Sequence, residues 1–406
     1  MKLWKQVLIG LILGIIAGVV LKEDAEMFKV LGTIFIKLIK MVIVPLIFFA
    51  LLSGITSIGD GHNFASIGIK GFFSYILTAM FAVLIGLTAG WVFQPGIGVD
   101  LSNISEAPVT TTKSIAPSAI EFVLNLIPKN PLKSMVSDNF LQLIVFTIFT
   151  GVTINLLDDI HSKPVKDLIN SAAKVMFKMI EGIVKLAPYG VFGFISWVVG
   201  TQGLEVLISL GKLIITVLSA CLFQYVVFGL MLFFIGRISP FPFYKKILMT
   251  QSIAFATSSS KATLSTAMEQ LQTRMGVSKS STNFLLPLGA CINMDGTAIY
   301  LGITALFFAQ ATGIVLTPAD YAMLILTCTL GSIGAAGIPS GSIIFMGMVL
   351  TSVGLPVEGI GVILGVDRIL DMVRTTINIT GDSTITLMID ASEKTLDKKV
   401  YYSKES

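Results

Sequence analysis

Charged residues are scarce in this chain. Asp, Glu, Lys and Arg make up 13% of its 406 residues, whereas a soluble domain carries roughly 25%. Hydrophobic residues account for 54%, the mean hydropathy is +0.87, and apolar runs recur along the whole length. The shortage of charged residues excludes a soluble fold whose whole surface is exposed to water. It predicts an integral membrane protein.

Cysteine and histidine are also rare. The three cysteines (Cys221, Cys291 and Cys328) lie in apolar runs, which argues against a disulfide framework. The two histidines, His62 and His161, fall in predicted loops. The sequence has no phosphate-binding loop of the Walker type and no nucleic-acid signature. The N-terminal segment is basic and then apolar, but it lacks the small-residue cleavage site of a secretory signal peptide. We therefore expect it to form the first membrane helix.

The apolar runs predict membrane-spanning helices. A crossing helix needs about 20 mostly apolar residues, and about eight segments approach that length. Lys and Arg are richer in alternate loops, which predicts that both termini lie in the cytoplasm. The predicted spans are approximately 7–21, 33–57, 72–93, 140–157, 175–199, 206–235, 284–310 and 360–389.

Two further apolar segments are interrupted by small and polar residues. Segment 247–271 is broken by TSSSKAT, and segment 321–353 is broken by GSIGAAGIPSGS. Irregular backbone is tolerated at membrane depth only where protein buries it or water reaches it, so both segments are predicted to be re-entrant hairpins. Each precedes a helix with a polar motif, a pattern typical of inverted repeats around a central site. The predicted fold is an all-α membrane protein with about eight transmembrane helices and two re-entrant helical hairpins.

The last predicted span carries a stripe of polar side chains. Their spacings of 4, 3, 4 and 4 residues place them on one helical face. Internal salt bridges that join helices are one interpretation, but intramembrane charges usually mark transport or ligand sites. Thr375 lies beside this face, whereas Arg368 is expected to point elsewhere and reach the interface. The stripe consists of Asp367, Asp371, Arg374, Asn378 and Asp382.

Carboxylates outnumber cations in this predicted core. Asp295, in the motif NMDGT, adds a fourth carboxylate to the three of the stripe, whereas Arg374 can neutralise one. Surplus negative charge in a medium of low dielectric constant requires cations or protons. Carboxylate, carboxamide and main-chain oxygens suit a hard cation such as Na⁺, while a proton relay would more naturally use His or Glu.

Five motifs carry a resemblance over essentially the whole length. They are KMVIVPLIFFALLSG, SSSKATL, PLGACINMDGTAIY, GAAGIPSGS and DRILDMVRTTINITGD. In this order they resemble the glutamate/aspartate transporter family, the dicarboxylate/amino acid:cation symporters. The resemblance implies a secondary active symporter, and no enzyme, that imports aspartate or glutamate with the Na⁺ gradient.

The resemblance also implies a substrate site. Asp371 would hold the substrate ammonium, and Arg374 would hold its side-chain carboxylate. The hairpin tips would bind the α-carboxylate through hydroxyl and backbone N–H groups. The implied substrate residues are Ser259, Ser260, Thr297, Gly337, Asp371, Arg374, Thr375 and Asn378.

Sodium would bind in the same region of the implied transporter. One site would use Asn293, Asn378 and Asp382. Another would use Tyr75, Thr78, Asn293 and Asp295. A third would use Met294 with carbonyl groups around Ser332 and Ile333. Asp367 matches a position near the first sodium and Arg374.

Four positions depart from the family pattern. Ala79 follows Thr78 where relatives often carry Ser, and Lys261 replaces a small residue at the first hairpin tip. Residues 340–342 replace a Gly-richer second tip, which could stiffen it. Leu301 stands where proton-coupled animal members carry Glu, which favours coupling to sodium alone.

The implied assembly is a homotrimer in the bacterial inner membrane, surrounded by membrane lipid, that works by an elevator mechanism. A fixed scaffold would carry a transport domain that moves. The scaffold would comprise 1–64 and 139–200, the transport domain 65–99 and 201–392, the extracellular loop 100–138 and the cytoplasmic tail 393–406.

Three alternatives stay open. A proton- or sodium-coupled C4-dicarboxylate carrier would keep an Arg but would not need Asp371. A neutral amino-acid carrier would leave Arg374 without a partner. An intramembrane aspartyl protease would use two facing carboxylates such as Asp295 and Asp382, but the expected Gly-x-Gly-Asp context is absent.

Overall fold

The computed structural model of the chain describes residues 3–56, 65–101, 124, 127–137, 139–334 and 341–403. These ranges are helical and contain no strand, which confirms the all-α prediction. A helix satisfies its backbone N–H and C=O groups within one segment, as a bilayer demands. In chain order the α-helices are α1 (Leu3–Leu21), α2 (Lys29–Thr56), α3 (Ala65–Phe93), α4 (Pro131–Val136), α5 (Phe140–Asn155), α6 (Asp159–Val184), α7 (Ala187–Gln202), α8 (Glu205–Phe234), α9 (Pro240–Lys246), α10 (Leu248–Thr257), α11 (Ser260–Glu269), α12 (Lys279–Ile292), α13 (Asp295–Thr312), α14 (Pro318–Gly334), α15 (Gly341–Ser352), α16 (Ile360–Ser392) and α17 (Lys398–Tyr402).

Four helical stretches of the described residues are long and apolar enough to cross a membrane. They are Lys5–Thr56, Ile67–Phe93, Glu205–Phe234 and Lys279–Thr312, and the bent pair α6 and α7 would make a fifth. A 3₁₀ turn at Lys22–Phe28 divides the first stretch into two of the predicted spans. The predicted count of about eight is therefore not confirmed by length and composition.

The predicted span 175–199 is wrong as a single helix. Helix α6 ends at Val184, α7 begins at Ala187, and the two are bent by 49°. Pro188 occupies the first turn of α7, where its missing N–H costs nothing. A proline inside one continuous helix would instead remove a hydrogen bond and clash with the preceding turn.

Helix α1 packs closely against α7 through a stripe of glycines. Gly10, Gly14 and Gly18 recur every four residues and therefore share one face. A Cβ atom built on Gly10 would lie 2.4 Å from the carbonyl oxygen of Pro188, and one on Gly14 would lie 3.0 Å from that of Phe192. Small residues let two membrane helices approach at backbone distance.

Both interrupted segments form pairs of short helices. In the first, α10 ends at the left-handed Ser258, and the extended Ser259 caps α11 by accepting a hydrogen bond from the N–H of Ala262 at 3.3 Å. Each arm has 10 residues and spans about 15 Å, half of a bilayer core. In the second pair, α14 packs beside α15, and the tip with Gly337 and Ser340 lies outside the described residues.

Helix α16 lies in the interior of the bundle. It packs against α7, α8, α10, α12 and α13, and α13 in turn packs along α3. The path between α12 and α13 is broken at Asn293 and Met294, whose backbone angles are not helical. The polar stripe of α16 therefore faces a helix break in the middle of the protein.

Candidate functional site

Helix α16 presents the polar stripe to the interior. Asp367, Asp371, Arg374, Asn378 and Asp382 are each at most 6% exposed. A buried charge is costly unless another group pairs with it or binds it. Their contacts divide the stripe into two clusters, one around Arg374 and one around Asp382.

The guanidinium of Arg374 is the centre of the first cluster. Its Nη2 lies 2.9 Å from Asp367 Oδ1 and 3.0 Å from Asp371 Oδ1. The same nitrogen donates to Ser342 Oγ of α15 at 2.7 Å. The ring of Tyr300 covers the guanidinium, with its centroid 3.9 Å from Cζ, a cation–π arrangement. Nε and Nη1 have no hydrogen-bond partner among the described residues, so they can donate to a ligand.

Arg368 also belongs to the first cluster, so the prediction that it points elsewhere is wrong. Its Nη1 lies 3.3 Å from Asp371 Oδ2, and its side chain is 16% exposed. The spacing of three residues permits this contact on the helix surface, and the carboxylate offers the cation a better partner than apolar surroundings. Two guanidinium groups therefore balance the carboxylates of Asp367 and Asp371.

The second cluster joins α12, α13 and α16 at the helix break. Asn293 Nδ2 donates to Asp382 Oδ1 at 3.0 Å, and Gln224 Nε2 lies 3.4 Å from Asp295 Oδ2. Asp295 Oδ1 and Asp382 Oδ2 are buried without a hydrogen-bond donor among the described residues. Thr78 Oγ1 donates to Asn293 Oδ1 at 3.2 Å. Two carboxylates, two amides and one hydroxyl thus converge here.

Two glycines leave room for these oxygen atoms. A Cβ on Gly381 would lie 3.0 Å from Asp295 Oδ2. A Cβ on Gly289 would lie 2.7 Å from Asp382 Oδ1 and 2.9 Å from the hydroxyl oxygen of Tyr75. Both oxygen atoms therefore lie near Gly289, and the Tyr75 hydroxyl donates to the carbonyl oxygen of Leu285 at 2.9 Å. Within the described ranges no three His, Cys, Asp or Glu residues form a metal-binding group, so the donor set is a mixture of acidic and neutral oxygens.

Asn378 connects the two clusters through the start of α13. Its Oδ1 accepts from the N–H of Gly296 at 2.8 Å, and its Nδ2 lies 3.2 Å from Met294 Sδ. A Cβ on Gly296 would lie 2.5 Å from the carbonyl oxygen of Arg374, so only glycine lets the backbone of α13 approach α16 this closely. The oxygen and the nitrogen of the Asn378 amide therefore both contact the protein. These contacts hold the break between α12 and α13 against α16.

The first hairpin tip contributes buried hydroxyl groups. The Oγ atoms of Ser258 and Ser260 are buried and have no hydrogen-bond partner among the described residues. Ser259 is engaged as the cap of α11. Lys261 is exposed, and its ammonium lies 5.0 Å from the ring centroid of Phe177 on α6.

The remaining predicted residues are less well defined by contacts. Thr297 and Thr375 are both buried, at 5% exposure, and they lie on the paired helices α13 and α16. Ser332 Oγ donates to the carbonyl of Thr329 at 2.7 Å. Ile333 belongs to α14, and Gly337 lies outside the described residues. The third predicted sodium site stays a prediction.

Sequence reasoning missed several contributors to these clusters. Ser342 and Tyr300 contact Arg374, Gln224 contacts Asp295, and Ser258 adds a hydroxyl at the first tip. Gln224 offered a signal because it is an isolated amide in an apolar run, and Tyr300 lies one helical turn after Thr297. No local signal distinguished Ser342 from the other serines of its tip, because its contact with Arg374 depends on how α15 packs.

These features define a class of protein. An apolar helical bundle, two short helix pairs, a broken helix and buried charges at that break are the elements of a secondary membrane transporter. The intramembrane charges hold available donors and acceptors, as expected of a ligand pathway.

Comparisons with known proteins agree with this class. The model of the sodium:dicarboxylate symporter family matches residues 3–392. The chain is 34% identical over 387 residues to the proton/sodium-glutamate symport protein of Bacillus subtilis, covering 93% of this chain and 90% of that one. It is 33% identical over 410 residues to the proton/glutamate-aspartate symporter of Escherichia coli, covering 97% and 93%. It is 34% identical over 402 residues to the C4-dicarboxylate transport protein of Rhodospirillum rubrum, covering 98% and 89%.

The chain belongs to the sodium:dicarboxylate symporter family. The resemblance identified from the five motifs is thereby confirmed. Members of this family are transporters and not enzymes, which excludes the aspartyl protease interpretation of Asp295 and Asp382. The protein is an integral membrane protein.

Proposed function

We propose that this protein imports an acidic amino acid, aspartate or glutamate, with the Na⁺ gradient as its driving force. Its relatives support a cation-coupled symporter of acidic amino acids or dicarboxylates. One observation supports the narrower proposal. The fully buried guanidinium of Arg374, whose Nε and Nη1 have no partner among the described residues, lies 3.0 Å from the carboxylate of Asp371 on the same helix face. A small molecule with both a carboxylate and an ammonium matches this pair.

The first cluster would open to admit the substrate. In the structure Arg374 is bonded to both Asp367 and Asp371, and together with Arg368 these groups neutralise one another. A substrate carboxylate would accept from Nε and Nη1 of Arg374, a charge-assisted and directional arrangement. The substrate ammonium would replace Arg374 as a partner of Asp371. Each buried charge would then keep a counter-charge, which burial demands.

The first hairpin tip would hold the second carboxylate of the substrate. Ser258 and Ser260 offer buried hydroxyl donors that have no partner within the part of the chain the structure describes, and Ser259 lies at the N-terminus of α11, where N–H groups point outward. A helix N-terminus favours an anion. Gly337 of the second tip is proposed to close the site from the other side, and Thr297 and Thr375 to line it.

Sodium coupling is proposed for the second cluster. Asp295 and Asp382 each bury an oxygen atom that lacks a donor among the described residues, and Tyr75, Thr78 and Asn293 supply neutral oxygens nearby. These residues fit a hard monovalent cation. Leu301 is fully buried on α13 and cannot carry a proton. One net positive charge that moves inward gains about 2.3 kcal/mol per 100 mV.

The proposed division into a scaffold and a transport domain has support in the packing. Helix α2 packs against α5, α6 and α7, while α3, α8 and the two helix pairs surround α13 and α16. We propose that the second group moves as an elevator against the first, in a homotrimer of the bacterial inner membrane with both termini in the cytoplasm.

A C4-dicarboxylate is the second candidate substrate, and the contact of Arg368 favours it. Without an ammonium in the substrate, Asp371 would keep Arg368 at 3.3 Å as its counter-charge. Arg374 would then be free to bind one carboxylate of the dicarboxylate. The two candidates therefore differ in whether Asp371 contacts the ligand.

Calorimetry on the purified protein distinguishes these candidates. L-aspartate, L-glutamate and succinate are titrated in NaCl and in choline chloride, with the parent chain and with Asp371→Asn. We expect an acidic amino acid to bind only with Na⁺. Its affinity should fall at least about 100-fold in Asp371→Asn, since a hydrogen bond to a charged group contributes up to about 3 kcal/mol.

Succinate provides the control, because it lacks an ammonium and its affinity should not fall in Asp371→Asn. Equal binding of succinate and aspartate to the parent chain, unaltered in Asp371→Asn, would favour the dicarboxylate. Binding in choline chloride would refute the role of Na⁺.

A further inference from the structure

A second cationic site lies far from the stripe of α16, where the C-terminal tail docks. An open cavity of about 550 Å³ is bounded by α9, the start of α10, the π-helical turn after α11 and the tail. Its lining includes Lys245, Lys246 and Arg274. None of the described residues that line this cavity carries a carboxylate, so three positive charges face it together.

Lys246 fixes one of these charges in place. Its Nζ donates to the carbonyl oxygens of Arg274, Val400 and Tyr401, each at 2.8 Å. An ammonium has three hydrogens, and the carbonyls satisfy them without neutralising the charge. The pKa of Lys246 is lowered, first by burial and then by the like charges of Arg274 and Lys245.

The mouth of the cavity is apolar and lies at the boundary of a membrane span. Helix α8, one of the span-length helices, ends at Phe234, six residues before α9 begins. Phe241 is 79% exposed, and Met249 is 55% exposed. Exposed aromatic and apolar side chains beside cations are typical of the interface between acyl chains and headgroups.

We propose that this cavity binds the headgroup of an anionic phospholipid. Lys245 and Arg274 are exposed and would contact the phosphate, while Lys246 contributes its fixed charge from below. Phe241 and Met249 would contact the glycerol and the first acyl carbons. The charge of the site selects an anion, and the apolar mouth selects a lipid over a soluble phosphate. The bound lipid would also hold the tail against the base of the first helix pair.

Native mass spectrometry of the full-length protein in detergent tests the proposal. Phosphatidylglycerol and phosphatidylethanolamine with identical acyl chains are added to the parent chain and to Lys245→Gln/Arg274→Gln. We expect phosphatidylglycerol affinity to fall about fivefold for each cation removed, and phosphatidylethanolamine binding to stay unchanged. Lys246 is left intact because its three hydrogen bonds are structural.

Lys279→Gln is the matched control, since Lys279 is exposed and nearby in sequence but does not line the cavity. It should retain phosphatidylglycerol, and millimolar inorganic phosphate should not displace the lipid from the parent chain. The proposal is overturned if the double variant binds as the parent does, if Lys279→Gln loses as much affinity, or if inorganic phosphate displaces the lipid.

Discussion

Substitution of Arg374 by Ala should destabilise the protein through Asp367 rather than through Asp371. Without the guanidinium, Asp371 still has Arg368 at 3.3 Å. Asp367 loses its partner at 2.9 Å, and its Oδ2 already lacks one among the described residues. One buried carboxylate is then left uncompensated, which costs about 3–5 kcal/mol.

Arg368→Ala is the matched control for this effect. It removes the same type of side chain, but Asp371 keeps Arg374 at 3.0 Å, and Arg368 is partly exposed. We expect a loss of about 1 kcal/mol or less. The double variant Arg374→Ala/Asp367→Asn should recover up to about 3 kcal/mol relative to Arg374→Ala, because residues in contact couple by this amount.

Equilibrium unfolding in mixed micelles, followed by circular dichroism, measures these free energies of unfolding. Calorimetry with L-aspartate follows binding in the same samples. Binding should be lost in Arg374→Ala and in the more stable double variant alike, which separates recognition from folding. The reasoning fails if Arg368→Ala costs as much as Arg374→Ala, if the double variant is the less stable one, or if aspartate affinity survives.

Two further predictions concern the cation cluster and the packing of α1. Asp382→Asn should lower the apparent Na⁺ affinity at least about tenfold, since a charged ligand oxygen is replaced by a neutral one. Asp390→Asn, on the same helix but bonded to Ser278, should leave the Na⁺ titration unchanged, and equal effects would contradict the cluster. Gly14→Leu should destabilise by about 1–3 kcal/mol through overpacking against α7, measured by thermal melting. Gly54→Leu, where a Cβ meets nothing within 4 Å, should melt as the parent does, and identical melting of both variants would exclude close packing at Gly14.

Local sequence was sufficient for the features that depend on one segment at a time. The apolar content requires helices because a bilayer offers no partner for backbone N–H and C=O groups. The period of 3.6 residues places Asp367, Asp371, Arg374 and Asp382 on one face of α16, whatever packs against it. The polar interruption within 247–271 coincides with the turn of a short helix pair, since Ser-rich segments favour turns over helix, and the interruption within 321–353 runs from the end of α14 to the start of α15.

Tertiary structure decided which side chains of other helices contact those faces. Arg368 is an exception, because its contact with Asp371 lies within one helix and its spacing of three residues was visible in the sequence. Ser342, Tyr300 and Gln224 reach the clusters from three other helices, at separations along the chain that no periodicity encodes. Contacts between distant segments depend on shape and burial in the assembled bundle, whereas the faces of a helix depend only on its own repeat.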